Sequence, residues 1–101
     1  MDINMWIYAG DMPFDATEKL LKETFAAAGN VKEVKLAIDS GSGRFMGYAF
    51  VKMGSKEEVA KAIKELQGKE IMGEYKAGRE MYLEPAEKEK DLWEDVFGSQ
   101  K

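Results

Sequence analysis

Two helix-opening signatures, Asp15 with Glu18 and Ser55 with Glu58, each stand between a short run of β-formers and an apolar stripe at helical spacing. That repetition constrains the chain more than any other feature. Ahead of the first, Asn4 to Gly10 (NMWIYAG) reads as a strand that exits through Asp11-Met12-Pro13. Behind it, Leu20, Leu21, Thr24, Phe25 and Ala28 share one helix face, and Gly29 suits the position just past the end. VKEVKLAI, residues 31–38, alternates Val34, Leu36 and Ile38 against Glu33, Lys35 and Ala37. After the turn DSGSGR, the run MGYAFVKM, residues 46–53, alternates Gly47, Ala49, Val51 and Met53 against Met46, Tyr48, Phe50 and Lys52. The second helix turns Val59, Ala62, Ile63 and Leu66 inward and closes at Gly68. KEIMGEYKAG forms a hairpin or irregular connection, and REMYLEP a last strand with Met81 and Leu83 inward and Glu80, Tyr82 and Glu84 outward. The order β-α-β-β-α-β predicts a ferredoxin-like α+β sandwich, a four-stranded antiparallel sheet with two helices on one face and the other face open.

A chain of 101 residues fits one domain, expected over 1–86, followed by a tail over 87–101. With no cysteine and no histidine, disulfides, thiolate metal sites, cysteine nucleophiles and the commonest general base are all excluded. Glu57 and Glu58, and likewise Glu87 and Glu89, are solvated helix charges with nothing apolar around them to shift a pKa. GSGRFMG, residues 41–47, lacks phosphate-loop spacing and opens a strand instead of a helix. Small enzymes built on the same sheet need an anion-binding loop with an arginine, whereas GDMPF after the first strand offers an acid and a proline. No enzyme activity, metal or cofactor is therefore expected. A formal charge of −4 argues against binding polyanions by bulk electrostatics, so any such binding rests on local chemistry. Neither a secretory leader nor a membrane-spanning run is read in it, so an intracellular protein is expected, nuclear or cytoplasmic and not secreted. A monomer is expected.

Strand parity gives the open face its content. If Ile7 and Ala9 face the helices, Trp6 and Tyr8 face away, and if Ala49 and Val51 face in, Tyr48 and Phe50 face out. Exposed rings in mid-sheet are costly in water and match flat partners, such as unpaired bases. Here the chain resembles the RNA recognition motif family, whose octapeptide K/R-G-F/Y-G/A-F-V-x-F/Y is met at Gly47, Tyr48, Ala49, Phe50 and Val51. The family's aliphatic-aromatic-aliphatic-x-N-L hexapeptide is met at Ile7 and Tyr8 of IYAGDM, with Ala9, Asp11 and Met12 as near misses. The resemblance runs from about residue 4 to 86, and it implies stacking of short single-stranded RNA, two to four nucleotides, on Tyr8, Tyr48 and Phe50. Trp6 stands at the margin and Tyr82 on the outer strand as further contacts. Met46 occupies the octapeptide's usual basic position, with Arg44 as its substitute. The resemblance assigns Lys35, Lys52 and Arg44 to phosphates or base edges, and the backbone from Glu84 to Ala86 to a base edge. Single-stranded DNA is expected to substitute in vitro. EYKAG, residues 74–78, resembles an insertion, and Glu33, Glu80 and Glu84 roughly cancel the cations, so affinity is expected to be modest and shallow in salt.

In the tail, Leu92, Trp93, Val96 and Phe97 make a short amphipathic helix stopped by Gly98. Placed over the open face, Trp93 and Phe97 would shield Tyr8, Tyr48 and Phe50 and set Asp91, Glu94 and Asp95 against an approaching phosphate, an autoinhibitory lid. Other placements extend the platform or dock on a protein. The rival reading is a protein-interaction module of the same fold, its sheet occupied by its own tail or a partner helix.

Overall fold

The computed structural model describes residues 2–75 and 78–98. A 3₁₀ turn, Ile3–Met5, leads into β1 (Trp6–Gly10), followed by α1 (Glu18–Ala26), β2 (Val31–Ile38), β3 (Phe45–Met53) and α2 (Lys56–Leu66). Then come β4 (Glu70–Ile71), β5 (Arg79–Glu80), β6 (Tyr82–Pro85), a 3₁₀ turn (Ala86–Glu89) and α3 (Lys90–Phe97). The main sheet runs β2-β3-β1-β6, all neighbours antiparallel, with β1 and β3 central as the ferredoxin-like reading requires. The strand expected from Asn4 starts two residues later, because Asp2 accepts from the Asn4 amide and winds Ile3–Met5 into a turn.

Both helices bury the predicted stripes. Leu21, Phe25 and Ala28 on one side and Val59, Ala62 and Leu66 on the other close over Ile7, Ala9, Val34, Ala49, Val51, Met53, Met81 and Leu83. At α2 the expected N-cap is Ser55, whose Oγ accepts from the Glu58 amide at 3.1 Å and donates to the Glu58 carboxylate at 3.2 Å in place of the reciprocal backbone bond of a capping box. The Glu58 carboxylate also takes the Asn30 amide at 2.6 Å, pinning α2 to the start of β2. At α1 the cap is Thr17 and not Asp15: its hydroxyl accepts from the Leu20 amide at 3.1 Å. Asp15 reaches instead across to the amide of Tyr75 at 2.9 Å, a partner sixty positions away that no local pattern announces.

The last expected strand is divided. Glu80 pairs with Glu70 in a small β4–β5 ladder, so it does not lie on the main sheet, while β6 alone pairs with β1. Of the expected insertion, Lys76 and Ala77 lie outside the described residues. The outer edge of β6 is clasped by one side chain: the Gln67 amide donates to the Leu83 carbonyl at 2.6 Å and its oxygen accepts the Leu83 amide at 2.7 Å. Two backbone groups that an edge strand would leave open are thus satisfied. Gln67→Ala should lower the free energy of urea unfolding by about 1–3 kcal/mol, and an unchanged midpoint would mean that water serves this edge equally well.

Candidate nucleic-acid interface

On the side away from α1 and α2, a second apolar cluster gathers Trp6, Tyr48, Phe50, Ala86 and Trp93, with Tyr8, Leu92, Val96 and Phe97 packed against it. Side-chain direction therefore follows the predicted parity. The register sets Tyr8 beside Phe50 on β3 and beside Glu84 on β6, and places Lys35 opposite Phe50 on β2. Tyr8 lies 5.7 Å from Tyr48 and 5.8 Å from Phe50, ring centre to ring centre. Gly10 makes room for this arrangement, since a Cβ there would fall 2.6 Å from the Tyr8 hydroxyl oxygen. The glycine was legible as a strand residue, but nothing in the sequence tied it to the tyrosine two positions earlier.

Exposure differs from the expectation. Trp6, Tyr48 and Phe50 are not open to solvent: their exposures are 1%, 7% and 0%, and Tyr8 is half-buried. The cover is α3. Trp93 meets Phe50 edge-on at 5.2 Å and Trp6 at 5.4 Å, and Phe97 lies 5.8 Å from Phe50 and 5.0 Å from Trp6. Trp6 is thus a packing partner of the tail. The remaining predicted contacts ring this centre. Lys35, Arg44, Met46 and Tyr82 are exposed, and Lys52 and Glu84 are half-buried. Ile38, expected inward, is exposed because the pairing shifts between Leu36 and Ile38, where Gly47 takes a φ of +87° in a β3 bulge. Ala37 keeps its expected side with Lys35 and is buried there in the cluster with Tyr48 and Trp93.

Closure has opposing terms. Among the described residues, the Trp6 indole nitrogen and the Tyr48 hydroxyl are buried without a hydrogen-bond partner in the protein, and such groups typically cost about 1–3 kcal/mol each. Carboxylates also crowd the seam. Burial first, then Glu89, Asp11 and Glu84, push the Tyr8 phenol up to about 12 from 10.0. Burial and then Asp95 raise Tyr48, and a 2.9 Å hydrogen bond to Glu84 leads the rise at Tyr82. Glu89, just before α3, is raised chiefly by hydrogen bonding to Glu84, with burial next.

Because the folded Tyr8 binds its proton more tightly than the unfolded chain does, its contribution to stability is complete below pH 10 and lost as pH climbs toward about 12. Detaching α3 loosens the cluster against which Tyr8 packs and frees the neighbouring Glu89. In the Trp93→Ala, Phe97→Ala variant the Tyr8 ring, followed by its carbon chemical shifts, should titrate closer to 10. Superimposable curves for the two proteins would show that α3 does not shape this environment.

The family model described as RNA recognition motif matches residues 7–75. The chain belongs to the RNA recognition motif family. Within this RNA recognition motif, Tyr8, Tyr48 and Phe50 fall inside the matched span, while β6 and α3 lie beyond it. RbpB of Nostoc sp. is 46% identical over 69 residues, covering 68% of this chain and 67% of that protein. The chloroplastic 29 kDa ribonucleoprotein A of Nicotiana sylvestris is 43% identical over 67 residues, 66% of this chain but 24% of the relative. These relatives are cyanobacterial and chloroplastic, whereas the sequence reading named nucleus or cytoplasm. Among solved structures, the Rna15 RRM superposes with a TM-score of 0.67 at 29% identity, covering 79% of this chain and 86% of that one. The matched family and these relatives are described by RNA binding. No helix among the described residues is long and apolar enough to cross a membrane.

Proposed function

We propose that this chain binds short single-stranded RNA across β1 and β3, and that α3 occupies the same face until RNA displaces it. The observation that carries this reading is the cluster itself: Tyr8, Tyr48 and Phe50 stand within 6.2 Å of one another on the central strands of an RNA recognition motif. Support comes from a solved relative at 28% identity, the Rna15 RRM, whose structure was determined with bound RNA (GU). In the open state one base stacks on Tyr8 and the next on Tyr48, with Phe50 against a base or the intervening sugars. Lys35, Lys52 and Arg44 meet phosphates or base edges, Met46 and Tyr82 flank the strand, Trp6 lines the margin, and the backbone near Glu84 reads a base edge. Affinity is modest and shallow in salt because acidic residues offset these cations. The protein acts as an intracellular monomer, its domain over 1–86 and its tail over 87–101.

One observation favours a second reading. Phe50 is fully buried with Trp93 and Phe97 against it, as in a protein-interaction module whose sheet is permanently occupied. Amide shifts during titration with a mixed-sequence oligoribonucleotide separate the two, using the full chain and its Trp93→Ala, Phe97→Ala variant. Shifts on β1 and β3 that strengthen in the variant are expected. Their absence from both proteins would leave the interaction module as the better account.

A further inference from the structure

At the end of the sheet where β1 exits, Phe14 and Tyr75 stack on each other at 5.7 Å with an interplanar angle of 18°. Both rings face solvent, Phe14 at 64% exposure and Tyr75 at 70%. Neither belongs to the two clusters that hold the fold together. Two loops far apart in sequence are nevertheless locked to present them. The Asp15 carboxylate takes the Tyr75 amide at 2.9 Å, and Gly73 passes so close to that carboxylate that a Cβ would collide with it. A ring pair held in place but left uncovered is an unpaid exposure unless something flat lies against it.

Beside the pair runs a groove of about 450 Å³, lined by Met12, Phe14, Phe45, Met46 and Arg79. Its size falls within the range of small-ligand sites, roughly 300–1,000 Å³. Met46 also lines a cleft of about 130 Å³ that opens beside Tyr48 along α3, so one side chain joins the two sites. Tyr48 is therefore reached from the groove by following β3. Arg79 is the cation of the groove, but Asp11, Glu70 and Glu80 surround its other side, which favours contact with a base over contact with phosphate.

We propose that Phe14 and Tyr75, with the adjoining groove, form a second nucleobase site that remains open while α3 covers the sheet. The occupant is a base of the same single strand that the sheet binds, so this inference rests on the RNA-binding reading. The site gives the strand a first foothold, and Met46 leads the neighbouring nucleotide toward Tyr48.

The test uses the full chain, its Phe14→Ala, Tyr75→Ala variant and the Trp93→Ala, Phe97→Ala variant, each titrated with a mixed-sequence oligoribonucleotide. Both replaced loop rings are exposed, and the backbone bond from Tyr75 to Asp15 survives the substitution. In the unaltered chain, amides of residues 14–15, 46–47 and 72–75 should shift at lower RNA concentration than those of Tyr8 and Phe50. The loop variant should lose these early shifts and bind about 5- to 150-fold more weakly, the range of one stacked base. Equal affinity in the loop variant, with strand shifts intact, would overturn this site and leave the sheet reading standing. No shift in any protein, the variant lacking Trp93 and Phe97 included, would overturn both. A self-association that needs Phe14 and Tyr75 and that RNA does not compete away would assign the patch to a second copy of the chain and also overturn the proposal.

Discussion

Replacing Trp93 and Phe97 together by alanine should tighten RNA binding by about two orders of magnitude. Both rings pack on Phe50 and Trp6, and truncating a buried aromatic typically costs about 3–5 kcal/mol at its site. An eight-residue helix has no stability of its own in water, so without those rings α3 leaves the sheet. The gain in apparent affinity equals the reciprocal of the fraction already open. A lid held by about 3 kcal/mol is open roughly once in 150, and its removal yields about a 150-fold gain and no more. Anisotropy of a labelled oligoribonucleotide measures it. An unchanged dissociation constant, with α3 shown by amide shifts to be detached, would mean that covering the rings does not limit RNA access.

Phe50→Ala should act in two directions at once. Phe50 is fully buried and touches both Trp93 and Phe97, so its loss removes the floor on which α3 rests. The expected destabilisation is about 3–5 kcal/mol, out of the 5–15 kcal/mol typical of a domain. The helix-side core around Leu21 and Phe25 is untouched and keeps the domain folded. RNA binding then gains from the freed sheet and loses a stacking ring worth about 1–3 kcal/mol. Comparison in the Trp93→Ala, Phe97→Ala background isolates the second effect, because no lid remains to be released. There, Phe50→Ala should weaken binding about 5- to 150-fold. Full affinity retained in that background would remove Phe50 from the binding face.

Periodicity carried the helices, the strand order and the direction of Trp6, Tyr8, Tyr48 and Phe50, because a two-residue repeat leaves side chains no other face. It did not carry exposure. Whether Phe50 is open or covered depends on α3, whose stripe of Leu92, Trp93, Val96 and Phe97 says that it needs a partner without saying which. The β3 bulge at Gly47 was hidden for a similar reason: one glycine in a strand run marks several possible irregularities, and only pairing with β2 shows where the register shifts and leaves Ile38 exposed. Asp15 fitted a capping box by spacing, yet Thr17 stood nearer the first helical turn and the carboxylate was drawn to the Tyr75 amide. Long-range bonds of this kind leave no local trace.

Only the four residues Ala86–Glu89 separate β6 from α3. So short a tether holds Trp93 and Phe97 at an effective concentration in about the millimolar range, whatever the dilution of the protein. Under the proposed competition between α3 and RNA, occupancy would follow the supply of RNA alone, and a scarce protein would be restrained as firmly as an abundant one.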